Sequence, residues 1–328
     1  MIGKSVWFGL ALIIGAAVTG LDAQAADPTI RFGVIGSSGQ ADLPTAIQRY
    51  GLDKKYGIAI EIVDYATPGQ QYTLLRSNAV DIAGGNFVDL LRQRRAGAAI
   101  KAIHGFEGYG NPIVTKPDSG ISSFSDLKGR KVGNFGTTFL DWLIVRAAGR
   151  KIYNIDIEKE ATLVQGAPPL LNQLLARGEV DAALQFTPNT VTPVLRGQQK
   201  VVTDVRALMD QAGFDANSFY LHWIIREAWV DANPKLAVAL SEMLNEAYAK
   251  LRTDDELWPT LTAKIGITEP ALVAAYRDMK RSRQNPPYRP DLLPKTQALV
   301  DALVSISGEQ AVGVKEIETA AFLFPLAR

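Results

Sequence analysis

Leu74-Leu75-Arg76-Ser77-Asn78-Ala79-Val80-Asp81-Ile82-Ala83 is echoed one hundred positions later by Leu174-Leu175-Ala176-Arg177-Gly178-Glu179-Val180-Asp181-Ala182-Ala183. Each copy reads as the end of a helix, a short turn, then a buried strand that opens on Val-Asp. The approaches match too: Thr67-Pro68-Gly69-Gln70-Gln71 precedes the first copy and Gly166-Ala167-Pro168-Pro169 the second. A solenoid would repeat more often and at shorter spacing. A single echo at this distance predicts two lobes, each built on its own helix-then-strand unit. Two such lobes side by side leave a cleft, where small molecules bind.

Working outward, strands are expected at 29–36, 58–63, 80–83 and 100–104, separated by helices at 43–50, 70–77 and 87–96. Strands alternating with helices at short spacing argue for parallel sheets with crossover helices. A second lobe is expected over 109–218, with strands at 131–133, 162–164, 180–185 and 201–202 and a helix at 139–148. Phe219-Tyr220-Leu221-His222-Trp223-Ile224-Ile225 would carry the chain back to the first lobe, 26–108. Helical patterns follow at 235–251, 255–265, 269–282 and 292–306 within the closing segment 219–328, and these helices are expected on lobe one. No low-complexity linker interrupts the chain, so two crossings between lobes are expected.

The N-terminus reads as an address. Lys4 supplies a positive start, 6–18 is a short apolar run, and Ala23-Gln24-Ala25 fits the small-x-small cleavage rule, so 1–25 is expected to be a signal peptide that exports the chain. Charge is near balance, with 35 Lys+Arg against 34 Asp+Glu. That gives no broad pull on nucleic acid or anionic lipid. Cysteine is absent, which excludes disulfides and thiol chemistry. Two histidines without cysteine make no zinc signature, and Gly36-Ser37-Ser38-Gly39 lacks the G-x-S-x-G spacing of a nucleophile elbow. The expectation is a monomeric binding protein with no cofactor, no metal and no catalysis.

Ligands of open α/β sheets sit beyond the carboxyl ends of the strands. The loops there name the candidates. Gly36-Ser37-Ser38-Gly39 offers Ser37 and Ser38 as hydroxyl contacts, or is an ordinary turn. Gly84-Gly85-Asn86 offers Gly85 for close backbone approach and Asn86 as contact or, more conservatively, as helix N-cap. Gly136, Thr137 and Thr138 open a helix whose free N–H groups would suit an anion. Gln165 and Phe186 are the second-lobe counterparts, Phe186 as a cleft wall. Phe106, Tyr109, Tyr220 and Trp223 cluster at the expected crossings; of these, Phe106 and Trp223 are taken as ligand contacts. His104 and His222 read as hydrogen-bonded histidines packed in crossing strands, and Glu107 as a solvated loop carboxylate.

The ordered set resembles the periplasmic solute-binding proteins of ABC importers, in the branch that binds alkanesulfonates, taurine, nitrate and thiamine precursors. The residues that carry it are the strand-plus-small loop 30–39, Leu75 to Gly84 with its Val-Asp, Phe124-Ser125-Asp126-Leu127-Lys128-Gly129-Arg130-Lys131-Val132, Gly136-Thr137-Thr138, Leu174 to Ala183, and Ala232-Asn233-Pro234. The resemblance implies a type II periplasmic binding fold: two α/β lobes joined by two crossing strands around a central ligand cleft. It implies hinge closure on a small ligand, a helix start at 136–138 that faces the cleft, and delivery to a membrane permease. A small organic anion, an aliphatic sulfonate or carboxylate, is the expected ligand, ahead of a neutral pyrimidine-like ring. The same resemblance covers a thiamine-pyrimidine synthase with a cysteine-rich segment, which this chain lacks, and sensory receptors that share the clamp.

Overall fold

A computed structural model describes residues 27–284 and 289–323. The leader read at 1–25 lies outside the described residues. The described residues form ten strands: β1 (Thr29–Val34), β2 (Ala59–Asp64), β3 (Ile82–Asn86), β4 (Ile100–Glu107), β5 (Pro112–Thr115), β6 (Lys131–Asn134), β7 (Thr162–Gln165), β8 (Ala182–Leu184), β9 (Lys200–Asp204) and β10 (Leu221–Arg226). They form two five-stranded sheets, ordered β2-β1-β3-β10-β4 and β7-β6-β8-β5-β9. In each sheet one inner strand, β10 or β5, runs antiparallel to both neighbours. That strand is the one the chain enters on arriving from the other sheet. The first crossing is the short link from β4 to β5; the second leads from the helix Val205–Ala212 into β10. The expected two-lobed α/β architecture is therefore present, and its cleft lies at the crossings.

The sequence echo has a structural cause. In the first sheet, Arg31 N–H donates to Asp81 Oδ2 at 3.0 Å while Asp81 N–H donates to the Arg31 carbonyl at 3.0 Å. In the second, Lys131 N–H donates to Asp181 Oδ2 at 2.8 Å and Asp181 N–H returns to the Lys131 carbonyl at 2.8 Å. The aspartate thus clips the start of the neighbouring strand, and the pairings that follow, Phe32 with Ile82 and Val132 with Ala182, are set in the same register. Gly33 and Gly133 complete the repeat. A Cβ on either would stand 3.2 or 3.1 Å from the Cβ of Ala83 or Ala183, so both sheets need a bare backbone there.

Several boundaries differ from expectation for identifiable reasons. Val-Asp precedes the strands rather than beginning them, because the aspartates are spent on the clips. Gly84, Gly85 and Asn86, expected as a loop, are the last residues of β3, since Trp223, His222 and Leu221 of the returning strand pair with them. The helix expected at 139–148 spans Leu140–Tyr153. Gly149 does not stop it because the Phe124 ring occupies the space of the missing side chain, 2.7 Å from an ideal Cβ. Its N-cap is Phe139, with no side-chain cap, so Thr137 and Thr138 lie before it rather than capping it.

The C-terminal helices stand at Pro234–Thr253, Trp258–Ala263, Pro270–Ser282 and Leu292–Ser307. The first three cover one face of the first sheet, burying Phe32, Trp223, Leu240, Leu244 and Tyr276 together. The last differs from the expectation that all four sit on lobe one. It packs on Leu140–Tyr153 of the second lobe, burying Leu299, Val300 and Leu303 with Ile144 and Ala148, and Arg150 donates to the Ile306 carbonyl.

Candidate functional site

The interlobe cleft encloses about 490 Å³, counting the space out to its mouth. Ser38, Gln40, Gln71, Gly84, Gly85, Phe106 and Glu107 face it from the first lobe, and Phe139, Phe186 and Pro188 from the second. Asn111 and Tyr220 line it at the two crossings.

Two amides form the polar end, and their orientation is fixed. Gln40 Oε1 accepts from the Ile35 N–H at 3.1 Å, and Gln71 Oε1 from the Gly69 N–H at 2.7 Å. Each oxygen is thereby occupied, which leaves the Nε2 donors to face other partners. Gly84 is bare for the same reason: a Cβ there would lie 2.7 Å from Gln40 Nε2. Ser38 Oγ donates to the Ile35 carbonyl at 2.7 Å and keeps lone pairs toward the cleft.

The opposite wall is aromatic. Phe186 lies 4.6 Å from Phe135 and 6.4 Å from Phe139, ring centre to ring centre, and Phe135 and Phe139 meet edge-on at 5.0 Å. On the first-lobe side Phe106 packs on Trp223 at 4.9 Å. Tyr220 stacks on Tyr109 at 4.4 Å and donates to the buried Asp141 carboxylate. Such rings provide flat apolar contact area for an organic ligand.

Glu107, read from the sequence as a solvated loop carboxylate, is the last residue of β4 and only 6 % exposed. Burial alone would raise its pKa; Lys280 and Arg283, at 3.1 and 3.2 Å, overcome that and hold it below the usual range. Arg283 also spans the lobes. It donates to the Gly108 carbonyl, to Asn111 Oδ1 at 3.3 Å and to Thr187 Oγ1 of the second lobe. Arg196 of the second lobe pairs with Glu269 at the other end of the helix Pro270–Ser282. That helix is clasped to the second lobe at both ends. Arg92 makes a third bridge, donating to the Thr138 carbonyl at 2.8 Å.

Of the eleven residues taken from the sequence as ligand contacts, the structure brings four to the cleft lining: Ser38, Gly85, Phe106 and Phe186. Ser37 sits in the same short turn as Ser38, Gly36–Ser38. Asn86 is buried and caps the helix Phe87–Arg95, accepting from the Asp89 N–H at 2.9 Å. Gly136, Thr137 and Thr138 stand outside the lining; Gly136 N–H is taken by Asn134 Oδ1 and Thr138 is exposed. Gln165 ends the edge strand β7 and is exposed. Trp223 faces away from the cleft toward the C-terminal helices, its Nε1 donating to Tyr248 Oη at 2.8 Å. Both histidines are buried and desolvation lowers their pKa values, that of His222 to about 3. Gln40, Gln71, Lys280 and Arg283 escaped sequence reasoning; a glutamine carries no motif, and the two cations lie more than 170 positions from Glu107.

A family model described as NMT1/THI5 like matches residues 48–256. No curated protein matches the sequence. Among solved structures, the fold is similar to the alkanesulfonate-binding protein SsuA of Xanthomonas axonopodis pv. citri bound to MOPS, with TM-score 0.73 and 18% identity over 92% of this chain and 100% of that one. It is also similar to the periplasmic aliphatic sulphonate binding protein SsuA of Escherichia coli, with TM-score 0.68 and 18% identity over 88% and 95% of the two chains. The periplasmic nitrate-binding protein NrtA of Synechocystis PCC 6803 matches with TM-score 0.58 and 17% identity over 73% of this chain and 66% of that one.

Proposed function

The chain belongs to the NMT1/THI5 like family, and from that footing we propose that it is the periplasmic, monomeric solute-binding component of an ABC importer. Its ligand is a small organic acid, sulfonate- or carboxylate-like, held between the lobes. The observation that carries the ligand class is the fixed pair of amides. With both oxygens bound to backbone N–H groups, Gln40 and Gln71 present donors, and an acceptor-rich head group is what two donors select. Neutral donors suit a carrier, which must release what it binds. The aromatic wall supports an organic body over a bare inorganic anion. A carrier rather than a catalyst is the reading that fits Glu107. Pinned by two cations below its ordinary pKa, it is a poor general base near neutral pH. Closure follows from a ligand that bridges both lobes, which shifts the open–closed equilibrium by its differential affinity.

Calorimetric titration of residues 26–328 with alkanesulfonates, short carboxylates and neutral pyrimidines tests this. An acid is expected to bind, and Phe186→Ala to weaken it roughly tenfold through lost ring contact. Ser38→Ala is expected to weaken binding too, while Thr137→Ala asks whether the helix start before Leu140 reaches the ligand once bound. Gly84→Ala should be the sharper probe. Its new methyl displaces the Gln40 amide, and a loss of about 1–3 kcal/mol of binding is expected with the fold intact. Binding of neutral rings alone would overturn the acid assignment. Silence across the panel, with no ligand co-purifying in native mass spectrometry, would overturn the carrier reading.

A further inference from the structure

Asp141 stands directly behind the cleft wall. It lies in the first turn of the second-lobe helix Leu140–Tyr153 and is buried. Its carboxylate meets the two residues that line the cleft at the crossings. Tyr220 Oη donates to it, 2.8 and 2.7 Å from its two oxygens, and Asn111 Nδ2 donates to Oδ1 at 3.1 Å. Both donors are neutral. Arg283 is the cation whose field reaches Asp141, and that guanidinium is paired with Glu107 and bonded to Asn111 and Thr187. Tyr109, stacked on Tyr220, is the other titratable group that feels this carboxylate. The helices packed on Leu140–Tyr153, Val205–Ala212 and Leu292–Ser307, bury Leu208, Met209, Leu299 and Val300. Arg146 and Arg150 of the same helix are paired with Glu158 and Asp156.

An acid in the cleft therefore sets a second negative charge across Tyr220 and Asn111 from Asp141. The wall between them is protein rather than water, where like charges repel more strongly. Glu107, the other carboxylate at the cleft, has Lys280 and Arg283 to hold it ionised despite its burial. Asp141 has no such pair, and its relief is protonation. Burial already raises it to about 6, against the pull of Tyr220, Asn111 and Arg283. A neighbouring anion pushes in the same direction as burial.

We infer that the cleft takes up its acid together with one proton, which passes from solvent to the Asp141 carboxylate while the ligand itself stays ionised. The inference rests on the acid reading of the cleft proposed above. The coupling is an equilibrium linkage, so it requires a difference in protonation between free and bound protein and no open channel. It makes capture tighter in acidic surroundings and release easier as the pH rises.

Calorimetry with ethanesulfonate and butyrate between pH 6.5 and 8, where both stay ionised, tests this in two buffers of different ionisation enthalpy, which counts protons. A coupling of about one pH unit is tenfold in affinity. About half a proton is then expected to enter per ligand near pH 7, and binding to weaken roughly threefold across the range. Asp141→Asn is expected to take up no proton and to bind about tenfold tighter at pH 8, since the repelling charge is gone. Asp42→Asn, whose carboxyl is raised to about 6 but stands outside the cleft lining, is expected to keep the wild-type uptake. An acid bound by the wild-type chain with no proton uptake overturns the coupling, whether or not either variant folds. Uptake that persists in Asp141→Asn, or vanishes in Asp42→Asn, also overturns it. Weaker binding by Asp141→Asn at pH 8 would mean that the carboxylate serves to hold Tyr220 and Asn111, and overturns it too. If neither acid binds the wild-type chain, the acid reading of the cleft falls first and the coupling with it.

Discussion

Asp81→Ala is expected to cost the fold about 3 kcal/mol, and Asp181→Ala about 1 kcal/mol. The two aspartates occupy the same place in the repeat and make the same backbone clip. They differ in what else they hold. Asp81 is 3 % exposed and also accepts from Arg31 Nε and Nη2, each at 2.9 Å, and from Arg226 Nη2. Burial works against its charge, but the two guanidiniums win and its carboxyl stays below the usual range. Removing it strands Arg226, whose side chain is 17% exposed, beside a strand start that has lost its cap. Among the described residues the Asp181 carboxylate has no such partner, and its deletion frees one backbone N–H, that of the exposed Lys131. Urea midpoints of the two variants, with unchanged denaturant slopes, measure the difference. Equal losses would mean that the clip, not the ion-pair cluster, carries the energy. Ligand affinity should be unchanged in both, because the clips sit at the ends of the sheets opposite Asn86 and the cleft.

The clip also explains what could be read from the sequence. A short motif that repeats its own local job leaves a repeated trace, so the Val-Asp echo predicted two helix-then-strand units; that Gly33 and Gly133 belong to the same repeat shows only in the folded sheets. The C-terminal helices were legible through their apolar periodicity. Side-chain direction was harder. Trp223 belongs to a crossing strand as expected, but alternation along β10 sends Trp223 and Ile225 toward the C-terminal helices, and Ile224 to the other core. The donor pair in the cleft had no signature at all. Gln40 and Gln71 matter because of backbone groups that fix their oxygens, and that is a property of folded loops. Threonines at a helix start looked like an anion site, yet the helix begins at Leu140, after Phe139 has turned its ring to the aromatic wall. The Glu107 cluster draws its cations from the far end of the chain, beyond any local pattern.

Between pH 4 and 6 two buried acids and the buried histidines should pull stability in opposite directions, and single isosteric substitutions should expose each pull. Burial raises Asp42 to about 6, against the pull of Lys280, Lys264 and the Tyr276 hydroxyl and with a push from Glu107. Burial likewise raises Asp141 to about 6, although Tyr220, Asn111 and Arg283 oppose it. In this window the folded chain keeps both protons and the unfolded chain has lost them. Their stabilisation is therefore complete below pH 4 and is lost as pH climbs through 6. The histidines run the other way. His222, buried beside His104, falls to about 3, and His104, buried near Arg252 despite its bonds to Gly105 and Asn245, falls as well. Unfolding lets them bind protons below pH 6.5, so their contribution is lost as pH falls. Each proton of difference tilts stability by about 1.4 kcal/mol per pH unit, and the acids and the histidines act against one another. Asp42→Asn removes one acid. The variant should match the wild type near pH 4 and exceed it by about 3 kcal/mol near pH 7, where the wild type carries a desolvated charge. His222→Asn should do the reverse, matching at pH 7 and gaining on the wild type as the pH falls toward 4. Urea denaturation at four pH values across this range reads both slopes. Parallel profiles for the three proteins would show that neither group changes its protonation on unfolding, and would remove the buried-charge account of this lobe.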